Sequence, residues 1–516
     1  MSRRKVLEYT LVFSAALVWF AIFMPWNGFV DPDAFYHAKA AALVWQYGPL
    51  ANFPWLDLTI LGRTFADQHF LFHAAVAPFS AAFGMFQGLR IASVIFAAAF
   101  LTLFYAVLRG FKLPAPWLWT ALLALTQPAL FRLILSKASP LALLLYVCGL
   151  YAAWRKRYWL LAFIAFIFAL THGGFLLLIG SLILLAAGAA CYEIFVAEKS
   201  WRAALGEGYW KSVPVCLAGV AAGLLIHPNR DHILEFLWYQ AFVIGLGTPL
   251  DRVAMGSEWY APSISGIFSS FAIWICIAGV GLIGMFIAAR RPLEQEKAKL
   301  TVALAWVLAV FVALALKSRR NVEYLAPILA LWCAVLWSHV DAGKLFRDML
   351  ARFTGWKGKI YLGFAGLAIV ALLARGVVKV WTDAHPALYP DDVYAATLRE
   401  ISRRAAPGDR VFHASWDEFP MLFAADDRLR YVSGLDPTFL YAASSSLSDA
   451  VRDVTWENST STADERFALM HELDAKFIFA SKKKHPKFIQ AVAADARYEK
   501  IADNPDSVAF EIEGRK

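Results

Sequence analysis

The chain carries little charge for its length. Only 17% of its 516 residues are charged, whereas 59% are hydrophobic, and the mean hydropathy is +0.53. A soluble domain of ordinary composition has about 25% charged residues. The sequence is therefore not that of a soluble globular protein, and its composition indicates a polytopic membrane protein.

Cysteine is also scarce, with five residues in the whole chain. All five lie in or at the edge of apolar runs, and none has the spacing of metal ligands. A disulfide framework and a cysteine-bound zinc ion are therefore not expected. Internal repeats are missing too, which argues against a transporter built from paired halves.

The N-terminus has the features of a retained membrane span. Basic residues at positions 3–5 precede an apolar run from Leu11 to Pro25, which ends in Met-Pro-Trp rather than in the small residues of a cleavage site. The basic end is expected in the cytoplasm. Further cytoplasmic loops explain the net charge of +9, so the charge does not indicate a nucleic-acid partner.

Hydropathy and the positions of lysine and arginine predict about eleven spans, from Tyr9–Trp26 to Ile360–Ala374. An odd number of spans places the C-terminal tail outside. The predicted fold is thus a polytopic α-helical membrane domain over 1–380, with a first outer loop at 27–90, followed by an extracytoplasmic α/β domain over 381–516.

The tail differs from the rest of the chain because it has no long apolar run. Four segments are predicted as short strands, namely Arg410–Ala414, Leu429–Leu435, Ala475–Ala480 and Val508–Ile512. Three are predicted as helices, namely Asp391–Ala405, Ala463–Leu473 and Pro486–Ala494. This alternation is typical of a small α/β domain.

The first outer loop is crowded with acids and histidines, and such groups next to hydrocarbon usually mark a polar site. Asp31 and Asp33 flank a proline and can approach one divalent cation from adjacent directions, an oxygen set that suits Mg²⁺ or Mn²⁺. The alternative is that Asp33 simply caps the helix Ala34–Trp45.

Asp67, His69 and His73 follow in the same loop. The two histidines are four residues apart, so on a helix they share a face. They either complete a metal site, or bind a sugar or phosphate, or are interfacial histidines that are satisfied by backbone carbonyls.

Two candidate groups lie in later outer segments. Glu258 is either an interfacial anchor or a further carboxylate of the site. Arg319 and Arg320 belong to a basic cluster at the outer end of a span, against the positive-inside rule. The cluster indicates either an error in the topology or an anion site, and the anion site is favoured because guanidinium groups pair bidentately with phosphate.

In the tail, Trp416 and Asp417 follow a predicted strand. Residues at strand ends of α/β domains often line a crevice. A purely structural role for Trp416 is the alternative. The lysine-rich run at 482–487 is interpreted as a solvated turn.

In this order, these motifs resemble the GT-C glycosyltransferase superfamily, and in particular the catalytic subunit of oligosaccharyltransferases. The segment DPDAFYHAKA is similar to the family's first acidic motif and the aromatic helix after it. The segment Met255–Pro262 is similar to the family's Ser-x-x-Glu motif. The segment SRRNVEYLAPILAL is similar to the family's span in which an arginine contacts the lipid phosphate. Residues 415–419 partly match the family's Trp-Trp-Asp-Tyr-Gly motif. Where the family has a second acidic motif, this chain has Arg132 to Lys137.

The resemblance implies an inverting glycosyltransferase that uses a polyprenyl-phosphate or pyrophosphate sugar donor. The implied catalytic residues are Asp33, Asp31 and Glu258. Substrate would be bound by Arg319 or Arg320 and by Trp416, Asp417 and His69. Mg²⁺ or Mn²⁺ would be held by Asp31, Asp33, Asp67 and Glu258.

The implied acceptor is a protein, a glycan or a lipid. The expected location is a bacterial inner membrane, with the active site and the tail outside the cytoplasm and with membrane lipids as further partners. Three alternatives remain: an enzyme of the same fold that extends or modifies a glycan or lipid, a transporter or flippase of a lipid-linked sugar, and a degenerate scaffold. Charges at the outer face rather than at mid-membrane favour the enzyme over the transporter.

Overall fold

The computed structural model is helical over most of the chain and has one small sheet domain. It describes residues 2–244, 253, 255–288, 294–352, 355–385 and 388–513. By internal packing the chain divides into two compact units. Unit 1 comprises Met1–Met24, Ser93–Gly223 and Ser257–Ala387, and unit 2 comprises Pro25–Ala92, Leu224–Gly256 and Leu388–Lys516.

The helices of the first three quarters of the chain are mostly apolar. In chain order they are α1 Arg3–Phe23, α2 Asp33–Tyr47, α3 Leu61–Thr64, α4 Phe70–Phe83, α5 Met85–Gly110, α6 Pro116–Leu125, α7 Gln127–Leu133, α8 Ser139–Trp154, α9 Tyr158–Thr171, α10 Phe175–Phe195, α11 Trp201–Gly206, α12 Ser212–Ile226, α13 Arg230–Trp238, α14 Ile264–Ala288, α15 Gln295–Lys317, α16 Val322–Trp337, α17 Ala342–Arg352 and α18 Trp356–Ala384.

Seven helices of the described chain are long and apolar enough to cross a membrane, with 18 to 29 residues each. A helix of 18 residues is about 27 Å long, close to the thickness of the hydrocarbon core. Four shorter apolar helices, α4, α6, α8 and α9, accompany them. The protein is therefore an integral membrane protein, as predicted, while the number of eleven spans stays a prediction.

Unit 2 contains the sheet domain of the tail. Its strands are β1 Gly28–Phe29, β2 Tyr389–Pro390, β3 Arg410–His413, β4 Arg430–Tyr431, β5 Ala475–Ser481, β6 Tyr498–Asp503 and β7 Ser507–Ile512. Its helices are α19 Ala395–Arg404, α20 Phe419–Ala425, α21 Thr438–Ala443, α22 Ser445–Thr455, α23 Ala463–Glu472 and α24 Pro486–Ala493.

Strands β3 to β7 form one five-stranded sheet in the order β4-β3-β5-β7-β6. β3 pairs in parallel with β4 and β5, whereas β7 is antiparallel to both of its neighbours. Apolar residues of β3, β5 and β7, such as Phe412, Ile478 and Phe510, are buried in the core against Phe488 of α24. The predicted α/β domain is confirmed, including four of its five main strands.

The first outer loop belongs to the same unit as the tail. β1 pairs antiparallel with β2, with Gly28 opposite Pro390. The fully buried guanidinium of Arg90 pairs with the carboxylate of Asp391, with Nη1 2.9 Å from Oδ2. The predicted domain boundary at 380/381 would separate these segments, whereas the packing joins 25–92 and 224–256 to the tail.

Candidate functional site

In unit 1, the segment around Glu258 is hydrogen-bonded to the basic turn that joins α15 to α16. The Glu258 carbonyl accepts from the Ser318 hydroxyl at 2.8 Å and from the Arg320 amide at 3.0 Å. The Tyr260 carbonyl accepts from the Arg319 amide at 3.2 Å. The backbone thus brings together two candidate groups that are about 60 residues apart in the sequence.

The carboxylate of Glu258 lies among cations. It is 2.8 Å from Nη1 of Arg132 and 3.9 Å from Nη1 of Arg320, whose guanidinium also lies over the Trp259 ring. Burial alone would raise the pKa of Glu258, but Lys137, Arg320 and Arg132 outweigh it and hold the pKa well below its usual range. We call Arg132, Lys137, Arg320 and Glu258 the cationic cluster.

In the cationic cluster, three positive charges lie around the carboxylate of Glu258. A phosphate group would therefore be attracted to it, because Arg132 and Arg320 can each offer several N–H donors to phosphate oxygens. The same charges do not suit a divalent cation at Glu258, since a metal ion there would be repelled by three cations. The surroundings of Glu258 favour an anion.

Arg132, like Lys137, is a residue of this site that the sequence does not identify. It lies near the end of α7 with its side chain 9% exposed, and it contacts an acid 126 positions away. In the sequence it only marks the place where the resembling family has an acid. A buried arginine in an apolar helix needs a partner, and this need is the one signal that could have pointed to a site.

In unit 2, the acidic pair lies at the start of α2. The Asp33 amide donates to Oδ1 of Asp31 at 3.0 Å, and the helix begins at Asp33 itself. Asp33 is therefore the first residue of the helix and not its N-cap, contrary to the alternative interpretation. Asp33 projects from the first turn of the helix, where the macrodipole favours an anion.

Asp67, His73 and His37 form a buried chain of hydrogen bonds. Nδ1 of His73 is 2.8 Å from Oδ2 of Asp67, and Nε2 of His73 is 2.9 Å from Nδ1 of His37. Because the carboxylate only accepts, His73 donates through Nδ1, and one proton is shared between Nε2 of His73 and Nδ1 of His37. His37 is one helical turn after Asp33.

Asp67 is held by this network rather than exposed to a ligand. Its side chain is 2% exposed, and it also accepts from the His69 amide at 3.1 Å. Burial alone would raise the pKa of Asp67, but His73 and His69 outweigh it and lower the pKa. The His69 ring lies beside that of His37, with 5.2 Å between centroids.

Among the described residues, no group of three or more histidine, cysteine or acidic side chains could hold a metal ion. Mg²⁺, however, is often held by one or two carboxylates together with substrate phosphates. Asp31 and Asp33 are carboxylates of that kind, while Asp67 pairs with His73 and Glu258 pairs with Arg132. The predicted cation at Asp31, Asp33, Asp67 and Glu258 stays a prediction.

The tail residues Trp416 and Asp417 lie just after β3, in a short turn that a capping box closes between Ser415 and Glu418. Oδ2 of Asp417 is 2.6 Å from Nζ of Lys484, which follows β5. The lysine run is therefore not simply solvated, since Lys484 is part of this polar group.

The acidic pair and the tail group have one neighbour in common within unit 2. Burial raises the pKa of Tyr389, Lys484 lowers it, and the charges of Asp417 and Asp31 raise it further. Tyr389 is in β2, which pairs with β1 just before Asp31. The short β1–β2 ribbon thus brings two predicted groups, 386 positions apart, to one side chain.

No protein-family model matches this sequence, and no curated protein matches it significantly. Solved structures do resemble it. One is the archaeal oligosaccharyltransferase AglB from Archaeoglobus fulgidus in complex with an inhibitory peptide and a dolichol-phosphate, with a TM-score of 0.62 and 11% identity, over 97% of this chain and 73% of that one.

Two more structures have a similar fold. ArnT from Cupriavidus metallidurans, bound to undecaprenyl phosphate, has a TM-score of 0.59 and 13% identity over 99% of this chain and 98% of ArnT. The arabinofuranosyltransferase AftD from Mycobacteria has a TM-score of 0.58 and 13% identity over the whole chain but 40% of AftD. All three are GT-C glycosyltransferases, so the chain has the GT-C fold that its motifs predict.

Proposed function

We propose that this chain, which has the GT-C fold, is a glycosyltransferase that moves a sugar or oligosaccharide from a polyprenyl-phosphate or pyrophosphate donor to an acceptor at the outer membrane face. The observation that carries the proposal is the cationic cluster, in which Arg132, Lys137 and Arg320 surround a single carboxylate. The phosphate-bearing lipids in the AglB and ArnT structures support a donor of this kind.

In the proposed reaction, an acceptor oxygen or nitrogen attacks the anomeric carbon of the donor sugar. The bond from that carbon to the phosphate oxygen breaks, and its electron pair stays on the phosphate. The phosphate gains negative charge on the way to the transition state, so Arg132 and Arg320 stabilise the transition state more than the bound donor. This difference in stabilisation lowers the activation barrier of the transfer reaction.

The acceptor must lose its proton as it attacks. Asp33 is the proposed base, since it is a carboxylate in the first turn of a helix and its backbone amide is hydrogen-bonded to Asp31. Asp31 and Asp33 would hold Mg²⁺ or Mn²⁺, and such an ion would stabilise negative charge on the departing phosphate.

The experiment is a transfer assay in vesicles with a radiolabelled polyprenyl-phosphate sugar. We expect Asp33→Asn to lower transfer about 10²- to 10⁴-fold, the range for loss of a general base. Asp392→Asn, which changes an exposed acid in the same unit, serves as the matched control and should keep full activity. Full transfer by Asp33→Asn would reject the proposed base.

The same vesicles test the other parts of the proposal. If Asp31 and Asp33 hold a divalent ion, EDTA should abolish transfer, and added Mg²⁺ or Mn²⁺ should restore it. Undiminished transfer in EDTA would show that the reaction needs no such ion. Movement of labelled donor across the bilayer without any acceptor would instead identify a flippase. The donor should be consumed only when an acceptor protein, glycan or lipid is added.

The size match favours one alternative, an enzyme that modifies a lipid or glycan. The chain spans 98% of ArnT but 73% of AglB. We therefore propose a lipid or glycan as the acceptor in preference to a peptide. A transfer assay in which only the peptide becomes labelled would contradict this preference. The proposed location is the inner membrane of a bacterium, with the tail outside.

A further inference from the structure

A cavity of about 120 Å³ opens between three helical elements of unit 1. Its walls are the junction of α6 and α7, one side of α14 and the last third of α18. The polar residues that line it are Thr126, Gln127, Ser269, Ser270, Arg375 and Lys379. Among the described residues, the ionisable side chains that line the cavity are the cations Arg375 and Lys379. The cavity therefore attracts an anion.

Arg375 is the unexpected residue of this cavity. It lies in α18, one of the helices that are long and apolar enough to cross a membrane, and no residue in the most apolar window of this helix is buried. The side chain is exposed and has no hydrogen bond or ion pair with any other described residue. Arginine side chains near the ends of spans reach towards the head-group level, where they meet polar groups.

The position of Arg375 along α18 indicates its depth in the bilayer. The segment from Ile360 to Ala374 has no charged residue, and it is flanked by Lys359 on one side and Arg375 on the other. Lys357 and Arg375 are 18 residues apart in one continuous helix, which is about 27 Å. This is close to the thickness of a hydrocarbon core, so Arg375 lies at the head-group level of the boundary opposite Lys357.

The neighbours of Arg375 complete a set of donors. Lys379 follows by one turn on the same face of α18 and is 2.8 Å from Asp383. Ser270 and Gln127 line the cavity from the other two walls and carry hydroxyl and amide donors. Thr126 is already used, since its hydroxyl donates to the Leu122 carbonyl and accepts from Trp274.

A glycine of α18, Gly376, lies against the α6–α7 junction. A Cβ atom at Gly376 would be 3.4 Å from Cβ of Gln127 and 3.7 Å from the Leu125 carbonyl oxygen. Any larger side chain at Gly376 would therefore extend towards this wall. The position offers a way to fill the cavity while both cations are kept.

We propose that this cavity binds the phosphate of an anionic phospholipid head group, with Arg375 as the main ligand. A phosphate diester offers two free oxygens to the guanidinium fork, and the hydroxyl and amide donors supply the remaining directions. The acyl chains of such a lipid lie along the lipid-facing surface of α18. This site does not depend on the proposed transfer reaction and does not include the cationic cluster.

The test is native mass spectrometry of the full chain in detergent, with phosphatidylglycerol, phosphatidylcholine or inorganic phosphate added at equal concentration. We expect the chain to retain phosphatidylglycerol, and Arg375→Gln to weaken this retention at least about fivefold, as for a lost hydrogen bond between charged groups. Lys359→Gln, which removes a cation from the other end of the same helix, is the matched control and should bind as the wild type does.

A second variant, Gly376→Leu, keeps both cations but fills the cavity, and it should also lose phosphatidylglycerol. Thermal unfolding midpoints of both variants establish that they are folded. Equal retention of phosphatidylglycerol by Arg375→Gln and the wild type would overturn the proposal. So would equal retention of phosphatidylcholine, or binding of inorganic phosphate as tight as that of the lipid, because the site would then not select an anionic lipid.

Discussion

Arg319 and Arg320 are neighbours in the sequence but have different surroundings. The Arg320 side chain lies over Trp259 and near Glu258, whereas that of Arg319 is exposed and has no ion pair with any residue that the structure describes. The sequence alone leaves the choice between them open. The contacts of Arg320 place its guanidinium in the cationic cluster, and they make it the better candidate for the donor phosphate.

The two arginines can be compared directly. We expect Arg320→Lys to raise the KM for the lipid donor about tenfold, because lysine cannot form the bidentate pair with phosphate. Arg319→Lys should change the KM by less than about twofold. The measurement is initial transfer rates over a range of donor concentrations, and equal effects of both variants would contradict the assignment.

At the scale of elements, the turn after Phe53 is tied to the sheet by charge. Oδ2 of Asp57 is 2.8 Å from Nη2 of Arg410 and 3.1 Å from Nη1 of Arg430, the first residues of β3 and β4. Arg410 is nearly buried and also donates to the Leu473 carbonyl. The acid therefore compensates a cation that has little contact with water.

Loss of this acid should weaken the attachment of the loop. We expect Asp57→Ala to lower the free energy of unfolding by about 2 kcal/mol, below the usual cost of an unpaired buried charge because Asp57 is itself 31% exposed. Asp453→Ala, which breaks an exposed pair with Arg452, should cost less than about 1 kcal/mol. Chemical unfolding in detergent measures both, and an equal cost would show that the link adds nothing.

The elements that the sequence predicts well are those with a clear hydrophobic pattern. β3 and β5 are short apolar runs and lie where they are expected, and α23 and α24 end within one residue of the prediction. β6 is not predicted, because its sequence YEKIAD has few apolar residues and it lies at the sheet edge beside β7. Strand pairing, and not local composition, makes it a strand.

The site is less predictable than the fold. Acids and arginines that lie in polar loops can be identified from the sequence, as Glu258 and Arg320 are. The partner of Glu258, Arg132, and the partner of Asp417, Lys484, cannot, because each contact joins residues more than 60 positions apart. Likewise, the hydrogen bonds that link His37 through His73 to Asp67 form only because α2 packs against α4.

At the scale of the whole molecule, the proposed orientation is open to a direct measurement. A single cysteine at Ser459, in the tail, should react with a membrane-impermeant maleimide in intact cells. A cysteine at Glu198, in a segment predicted to be cytoplasmic, should react only after the cells are permeabilised. A parent chain without its five native cysteines is the control, and the reverse labelling pattern would contradict an outer tail.

The stability of the tail domain should depend on pH through His413. Its ring is buried, donates through Nδ1 to the Ser415 carbonyl at 2.8 Å and accepts from the Ser433 amide. Burial lowers the pKa of His413 to about 4, against about 6.5 when unfolded. The folded state therefore resists protonation, so this contribution to stability is complete above pH 6.5 and is lost as the pH falls to about 4.

We expect the wild-type chain to lose about 3 kcal/mol from this group over that interval. His413→Gln should be less stable at pH 7 but should lose less stability between pH 6.5 and 4. His471→Gln removes an exposed histidine and should follow the wild type. Unfolding curves at a series of pH values decide, and parallel curves for His413→Gln and the wild type would contradict the assignment.

The pairing of β1 with β2 has a consequence for biosynthesis. Phe29 leaves the ribosome early, but its partner Tyr389 is 360 residues further along the chain. At about 5–20 residues per second, the ribosome needs roughly 20–70 s to reach it. In the proposed orientation, the first loop lies outside the cytoplasm during that interval and lacks its partner strand. A nascent chain that stalls in the last span should therefore present residues 25–92 to proteases and chaperones.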